Sequence, residues 1–171
     1  QRWCARRGAR RAPDRDSPAD YHRAVGIVGR ENTIIGAPPA GDEQIIARDS
    51  RAGLAVLRVP AIDDSAVTIR QGPVRPGPRY VAVVEATAIG PATRPVYVGR
   101  MEAFQDPLTG ATLLSLAALQ HAIPRGAALF TLEGLSIGLV RDSRESAVVV
   151  PADVLRHAAQ SAQPTAAPAM G

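Results

Sequence analysis

The chain has 171 residues, of which 46% are apolar and 21% are charged, values typical of one globular domain or two small ones. No run approaches the roughly 18 continuous apolar residues of a membrane-spanning helix. The single cysteine, Cys4, excludes a disulfide framework and a cysteine-rich zinc site.

The net charge of +4 is concentrated at the N-terminus. Residues 1–23 hold seven arginines and three aspartates, whereas residues 24–171 hold as many arginines as acids. Because the remainder is neutral, no nucleic-acid-binding face is expected on the domain. The basic arm is interpreted either as a binding element for anionic lipid, nucleic acid or an acidic partner, or as a solvated, flexible arm. The arm residues expected to contact a partner are Arg2, Trp3, Arg6, Arg7, Arg10 and Arg11.

Composition divides the chain into three zones. Residues 1–22 form an Arg-rich extended arm, residues 23–161 form the domain, and residues 162–171 form an Ala/Pro-rich flexible tail. The chain starts with Gln1, which predicts either processing or a missing upstream segment. No signal peptide is predicted, since no apolar segment precedes Ala24.

Short β-type segments separated by turn residues predict an all-β domain, an antiparallel barrel or sandwich. The predicted strands are 24–28, 33–35, 44–48, 53–59, 66–70, 79–85, 95–104, 112–116, 127–132, 135–141 and 147–150. Turns are predicted at Gly90-Pro91 and at Glu133-Gly134, where a hairpin closes. One terminal helix is predicted to begin near Pro151, with Arg156 and His157 near its C-terminal end.

Three segments resemble the trypsin-like serine proteases of the HtrA/Deg type. Residues 45–59, IIARDSRAGLAVLRV, resemble the family segment that carries the triad aspartate, where the pattern ends D-L-A-V-L-K-V. Residues 123–140, IPRGAALFTLEGLSIGLV, resemble the nucleophile segment, which reads G-N-S-G-G-P-L-F followed by a strand containing Ile-Gly. Residues 148–155, VVVPADVL, resemble the strand, proline and helix that end the protease domain. The resemblance implies a double antiparallel β-barrel with one C-terminal α-helix.

The same resemblance implies a degenerate catalytic site. Arg125 stands at the position of the nucleophilic serine, Gly53 at that of the triad aspartate, and Ile123 at that of an oxyanion-hole glycine. No histidine occurs in residues 33–41, where the base would lie. An arginine cannot attack a carbonyl and a glycine cannot orient an imidazole. The sequence therefore predicts a pseudoprotease that is not an enzyme and has no catalytic residues.

No other catalytic or metal site is indicated. The three histidines, His22, His121 and His157, are expected to have surface or capping roles. A set of His121, Asp106 and Ser115 can be imagined, but no spacing supports it. No cofactor and no metal ion are expected, because no carboxylate cluster or HxxH pattern is present.

The predicted function is that of a binding or scaffold subunit in a larger, membrane-associated assembly, of which a respiratory or photosynthetic complex is one example. Besides the arm, the Pro-rich loop 72–79 offers Arg75 and Arg79 to partner proteins. Two alternatives remain: an unconventional hydrolase using His121, and an adaptor that binds an anionic surface through its arm. The resemblance favours an extracytoplasmic, periplasmic location, whereas an anchor upstream of the Arg cluster would favour the cytoplasmic side.

Overall fold

The computed structural model describes residues 21–28, 34–35, 45–49, 52–60, 77–118 and 122–162. Several predictions fall outside the described residues. They concern the partner-binding residues of the arm including Trp3, Arg75, the strand predicted at 66–70, His121 and the tail beyond residue 162. Among the described residues, no helix is long and apolar enough to cross a membrane.

The first part of the chain forms an antiparallel sheet with the order β2-β1-β4-β3. Its strands are β1 (Tyr21–Val28), β2 (Ile34–Ile35), β3 (Ile45–Asp49) and β4 (Leu54–Pro60). Strand β4 lies between β1 and β3, and its residues 54–57 are all buried. This run of apolar residues is therefore covered on both faces of the sheet.

The second part closes into a six-stranded antiparallel barrel with the order β10-β7-β6-β5-β8-β9. Its strands are β5 (Arg79–Thr87), β6 (Gly90–Gln105), β7 (Thr112–Ala118), β8 (Ala128–Thr131), β9 (Ser136–Ser143) and β10 (Ala147–Pro151). The predicted hairpin between β8 and β9 is confirmed, because Gly134 has φ +84° and its N–H donates to Thr131 O at 3.0 Å.

Strand β6 is longer than the sequence predicted. The turn predicted at Gly90-Pro91 is wrong, since β6 already begins at Gly90 and the turn lies at residues 88–89. Pro91 and Pro95 are accommodated inside the strand because, among the described strands, β6 pairs with β7 only from Val98 onwards. A proline fits an edge where no ladder donor is needed.

Two clusters of buried side chains form the core. The larger one fills the closed barrel with residues such as Val98, Leu116 and Leu129, each 0% exposed. The second joins the sheet to the barrel, because Ile27 and Leu54 of the sheet pack with Leu139 of the barrel. The two parts of the domain thus share buried apolar surface, which couples their stability.

The predicted terminal helix is confirmed as α1 (Ala152–Ser161). Arg156 and His157 were expected near its C-terminal end, but the helix continues and its last turn holds no basic residue. Its terminal carbonyls are instead satisfied from β1, where Arg23 donates to Ala159 O at 2.7 Å and to Gln160 O at 3.3 Å. The all-β fold predicted from the sequence, with an antiparallel barrel and one C-terminal helix, is confirmed.

Candidate functional site

A pocket of about 180 Å³ lies where the β3–β4 turn meets the turn before β8. We call it the junction pocket. Gly53 and Arg125, which lie far apart in sequence, both line it. The other lining residues are Ala52, Asp106, Leu108, Arg141 and Asp142.

Gly53 is placed by a tight turn between β3 and β4. The Ala52 N–H donates to Asp49 Oδ1 at 3.0 Å, and Gly53 itself has φ +67°, a conformation that favours glycine. The carbonyl of Gly53 accepts from the Val28 N–H at 2.8 Å. The backbone at this wall of the pocket is therefore fixed to the end of β1.

Arg125 bridges the barrel and the sheet. Its turn is closed by the Ala127 N–H donating to Pro124 O at 3.2 Å, with Gly126 at φ +82°. The Arg125 guanidinium donates from Nε to Arg141 O at 2.7 Å and from an Nη to Val28 O at 3.1 Å. Although the residue is exposed, its side chain is held by carbonyl oxygens of two elements.

A buried ion pair lies beside Arg125. Asp106 is only 5% exposed, and its Oδ2 accepts from Arg141 at 2.9 Å and from the Thr109 hydroxyl at 3.0 Å. Its Oδ1 accepts from the Leu108 N–H at 3.1 Å. The hydrogen bond from Arg141 and these two further donors hold the pKa of Asp106 below its ordinary value, despite the burial that would raise it.

This arrangement determines what the pocket can do chemically. A carboxylate with a lowered pKa and three donors is a poor general base. Among the described residues lining the pocket there is no serine, histidine or cysteine. Arg125 retains N–H groups beyond those bound to carbonyls, and within the described chain no carboxylate lies within ion-pair distance of it. The pocket is therefore suited to binding a hydrogen-bond acceptor or an anion.

Three other candidate residues lie elsewhere. Ile123 is 1% exposed and packs in the barrel core, so its side chain does not line the pocket. Arg79 begins β5 and is half-buried. Hydrogen bonds with its own backbone and with the Thr131 side chain lower the pKa of Glu133, and the nearby charge of Arg79 adds a smaller lowering. His157 is exposed on α1, as expected of a surface histidine.

The imagined set of His121, Asp106 and Ser115 gains no support. Ser115 pairs in register with Glu102, three residues before the Gln105 that ends β6, and its hydroxyl contacts Ser146 at 3.4 Å. Asp106 lies one residue further on, so about 13 Å of chain separates it from the position of Ser115.

Sequence reasoning missed the ion pair of Asp106 and Arg141. In the sequence, Asp106 is considered only in the imagined set with His121 and Ser115, although residues 106–110 read DPLTG. Aspartate followed by proline at the start of a turn is a signal for a side chain that binds nearby backbone N–H groups. The partner Arg141 lies on another strand, and no local pattern indicates that distant contact.

Comparison with solved structures identifies the fold. The HtrA-type protease AlgW, solved with a decapeptide, has a TM-score of 0.52 and 19% identity over 69% of this chain. Rv3671c protease from M. tuberculosis in its active form has a TM-score of 0.57 and 16% identity over 84% of this chain. An inactive serine-to-alanine form of Rv3671c has a TM-score of 0.51 and 18% identity over 71% of this chain.

These likenesses establish the trypsin-like fold found in HtrA-type proteases. This chain covers 39% of AlgW, 70% of the active form and 66% of the inactive form of Rv3671c. No protein-family model and no curated protein sequence matches it.

The expectation that the chain is not an enzyme is wrong. It was based on Arg125 and Gly53 at the positions of triad residues, on Ile123 at that of an oxyanion-hole glycine, and on the lack of a histidine in residues 33–41. The three solved structures compared above are of proteases, one of them in its active form, so the shared fold is one found in enzymes. The physical reason for the error is that the prediction relied on a few positions of the catalytic motif, whereas the fold is specified by the buried core and the strand pairing.

Proposed function

We propose that this domain is a binding or scaffold subunit of a larger, membrane-associated assembly, and that its junction pocket binds an acidic group of a partner protein. The observation that carries the proposal is Arg125. Its guanidinium is fixed by Arg141 O and Val28 O, so little side-chain entropy remains to be lost on binding. A preorganised arginine with spare donors suits a carboxylate.

Arg125 is the anion-binding group of the junction pocket because the other charged side chains described in its lining are already paired. Arg141 is paired with Asp106 at 2.9 Å, and Asp142 lies 3.6 Å from Arg144. An incoming carboxylate would therefore meet the Arg125 charge with the nearby carboxylates already paired. Gly53 also lines the pocket, and a Cβ added at this position would meet no atom within 4 Å.

The test compares the assembly state of the full chain in its native host. Extracts from cells expressing the wild type, Arg125→Gln or Arg100→Gln are separated by size under native conditions. Arg100 is an exposed arginine 3.7 Å from Glu102 and serves as the matched control. We expect the wild type and Arg100→Gln to elute in a large complex and Arg125→Gln to elute mainly as free protein. Free elution of the wild type, or no effect of Arg125→Gln, would overturn the proposal.

We further propose that the N-terminal arm, with Arg2, Trp3, Arg6, Arg7, Arg10 and Arg11, contacts a partner subunit or an anionic lipid surface. Arg75 and Arg79 of the Pro-rich loop 72–79 are proposed as a separate contact to partner proteins. Arginine and tryptophan combine large contact area with polar donors. Removal of residues 1–12 should reduce sedimentation with phosphatidylserine vesicles, and the reduction should be larger at low salt. Equal sedimentation of both forms would contradict lipid binding. We favour an extracytoplasmic location.

Peptide hydrolysis is the second candidate, and the shared protease fold favours it. It would require a nucleophile and a base from residues other than those described in the junction pocket, with His121 as one candidate base. Labelling by a fluorophosphonate at a single serine, lost in His121→Ala, would support this function. Binding through Arg125 and hydrolysis are measured on the same preparations, because one does not exclude the other.

A further inference from the structure

A second concave site lies on another part of the domain. A groove of about 470 Å³ is bordered by β1, β8, β9 and α1. We call it the helix groove. Its apolar lining includes Val25, Phe130, Leu139 and Leu155. Its volume lies within the range of about 300–1,000 Å³ that is usual for ligand sites.

The charged residues of the helix groove have one sign. Among its described lining residues, Arg23 and Arg156 are charged and there is no acid. Arg23 contacts the carbonyls of Ala159 and Gln160, which lie three and four residues after Arg156. Positions with this spacing share one helix face. Both guanidinium groups therefore belong to one end of an apolar groove.

The Arg156 charge is available for a ligand. Arg156 is exposed, and within the described residues it has no hydrogen bond or ion pair. Arg23 uses one Nη group for both carbonyl contacts. An apolar surface that carries unneutralised positive charge is complementary to a ligand that combines aliphatic and acidic groups.

The lining favours a peptide over a fatty acid. Ser136 also lines the groove, and its hydroxyl makes no hydrogen bond within the described part of the chain. An acyl chain lying there would cover this hydroxyl without giving it a partner, which costs free energy. A peptide backbone offers both donors and acceptors along its length. The small side chains of Ala24 and Ala128 in the lining leave space for a backbone to approach.

We infer that the helix groove binds an extended peptide segment of alternating aliphatic and acidic residues, supplied by a partner protein. The aliphatic side chains occupy the apolar floor and a carboxylate pairs with Arg156. The helix groove shares no lining residue with the junction pocket. Binding here is therefore independent of the function proposed for Arg125.

The test uses fluorescence anisotropy of a labelled, capped hexapeptide of alternating leucine and glutamate, titrated with the full chain. Peptides with glutamine for glutamate, or serine for leucine, separate the two parts of the recognition. We expect the Leu/Glu peptide to bind about tenfold more tightly than either variant peptide. Arg156→Gln should weaken its binding by about threefold to tenfold. Arg100→Gln, which changes an exposed arginine outside the groove, should leave it unchanged.

Three results would overturn the inference. The first is equal affinity for the Leu/Glu and Leu/Gln peptides, which would remove the role of charge. The second is wild-type affinity in Arg156→Gln, because this exposed helix position changes the charge without disturbing the core. The third is binding of decanoate at the groove with no binding of the peptide, which would assign the site to an acyl chain.

Discussion

At the scale of single residues, Asp106 links the stability of the domain to pH. Its folded-state pKa lies below the ordinary value of 3.8 because Arg141, Leu108 and Thr109 donate to its carboxylate. A lowered folded-state pKa gives stability that is present above about pH 4 and is lost as the pH falls through the folded value. Asp106→Asn should therefore lower stability at pH 7 and flatten its dependence on pH below about 4.

The measurement is urea unfolding followed by circular dichroism at several pH values. Asp142→Asn is the matched control, since Asp142 lines the same pocket but is half-buried and lies 3.6 Å from its arginine. Its acid dependence should resemble that of the wild type. If Asp106→Asn and the wild type lose the same stability as the pH falls, the ion pair is not coupled to folding.

Only some features of the junction pocket could be predicted from the sequence. Gly53 and Arg125 were found because they interrupt segments that resemble a known family, and the structure brings both to one pocket. The pairing of Asp106 with Arg141 was missed because the two residues are 35 positions apart and neither interrupts a local pattern. Local spacing reports on helix faces and turns, whereas a pair across a barrel is set by strand register.

At the scale of elements, Gly138 sets how closely β9 approaches β10. It has φ +154°, and an added Cβ would collide with the carbonyl of Val150 on the paired strand. Gly138→Ala should lower the free energy of unfolding by about 2–4 kcal/mol, because neither backbone can move without disturbing the barrel.

The comparison variant is Gly134→Ala in the β8–β9 turn. Its φ is +84°, but a Cβ there meets no atom within 4 Å, so only backbone strain is added. A loss of about 1–2 kcal/mol is expected for the unfavourable φ alone. Chemical unfolding of both variants separates strain from collision. Equal losses for the two would contradict the role assigned to the Val150 contact.

The end of helix α1 is stabilised by Arg23, which is 136 positions away in sequence but in direct contact with it. Arg23 supplies donors to its last turn, which contains no basic residue of its own. Arg23→Gln should lower stability by about 1 kcal/mol and should speed amide exchange in α1 more than in β7. Arg100→Gln is the control. Exchange that rises equally in both elements would indicate a global effect rather than a loosened helix end.

Element prediction succeeded where strands carry β-branched residues between clear turn signals, as in β5, β9 and β10. It failed at the start of β6, because proline is a turn signal in sequence and a tolerated residue at a strand edge. Pro91 lies at a strand edge because β7 pairs with β6 only from Val98 onwards. The strand pairing of the closed barrel determines this, and the residues next to Pro91 in sequence do not.

At the scale of the whole molecule, the shared cluster of Ile27, Leu54 and Leu139 should make the sheet and the barrel unfold together. Leu116→Ala, in the barrel core, should cost about 2–5 kcal/mol and should speed amide exchange in β4 of the sheet as well as in β7. Leu132→Ala, at a residue that is 60% exposed, should change stability by less than about 0.5 kcal/mol.

Hydrogen exchange and urea unfolding test this coupling. Faster exchange in β7 with unchanged exchange in β4 would show that the barrel opens by itself. The sequence predicted one all-β domain but gave no indication of this coupling, because the residues of the shared cluster come from both halves of the chain.

The contact of Arg23 with the end of α1 has a consequence for chain connectivity. It spans 136 positions of sequence and places the start of β1 beside the last turn of the helix. A short Gly/Ser linker could therefore join residue 162 to residue 21, and new termini could be opened at the β5–β6 turn, where Ile89 is fully exposed. Such a circular permutant should fold to the same barrel, since its new ends break no buried backbone pairing.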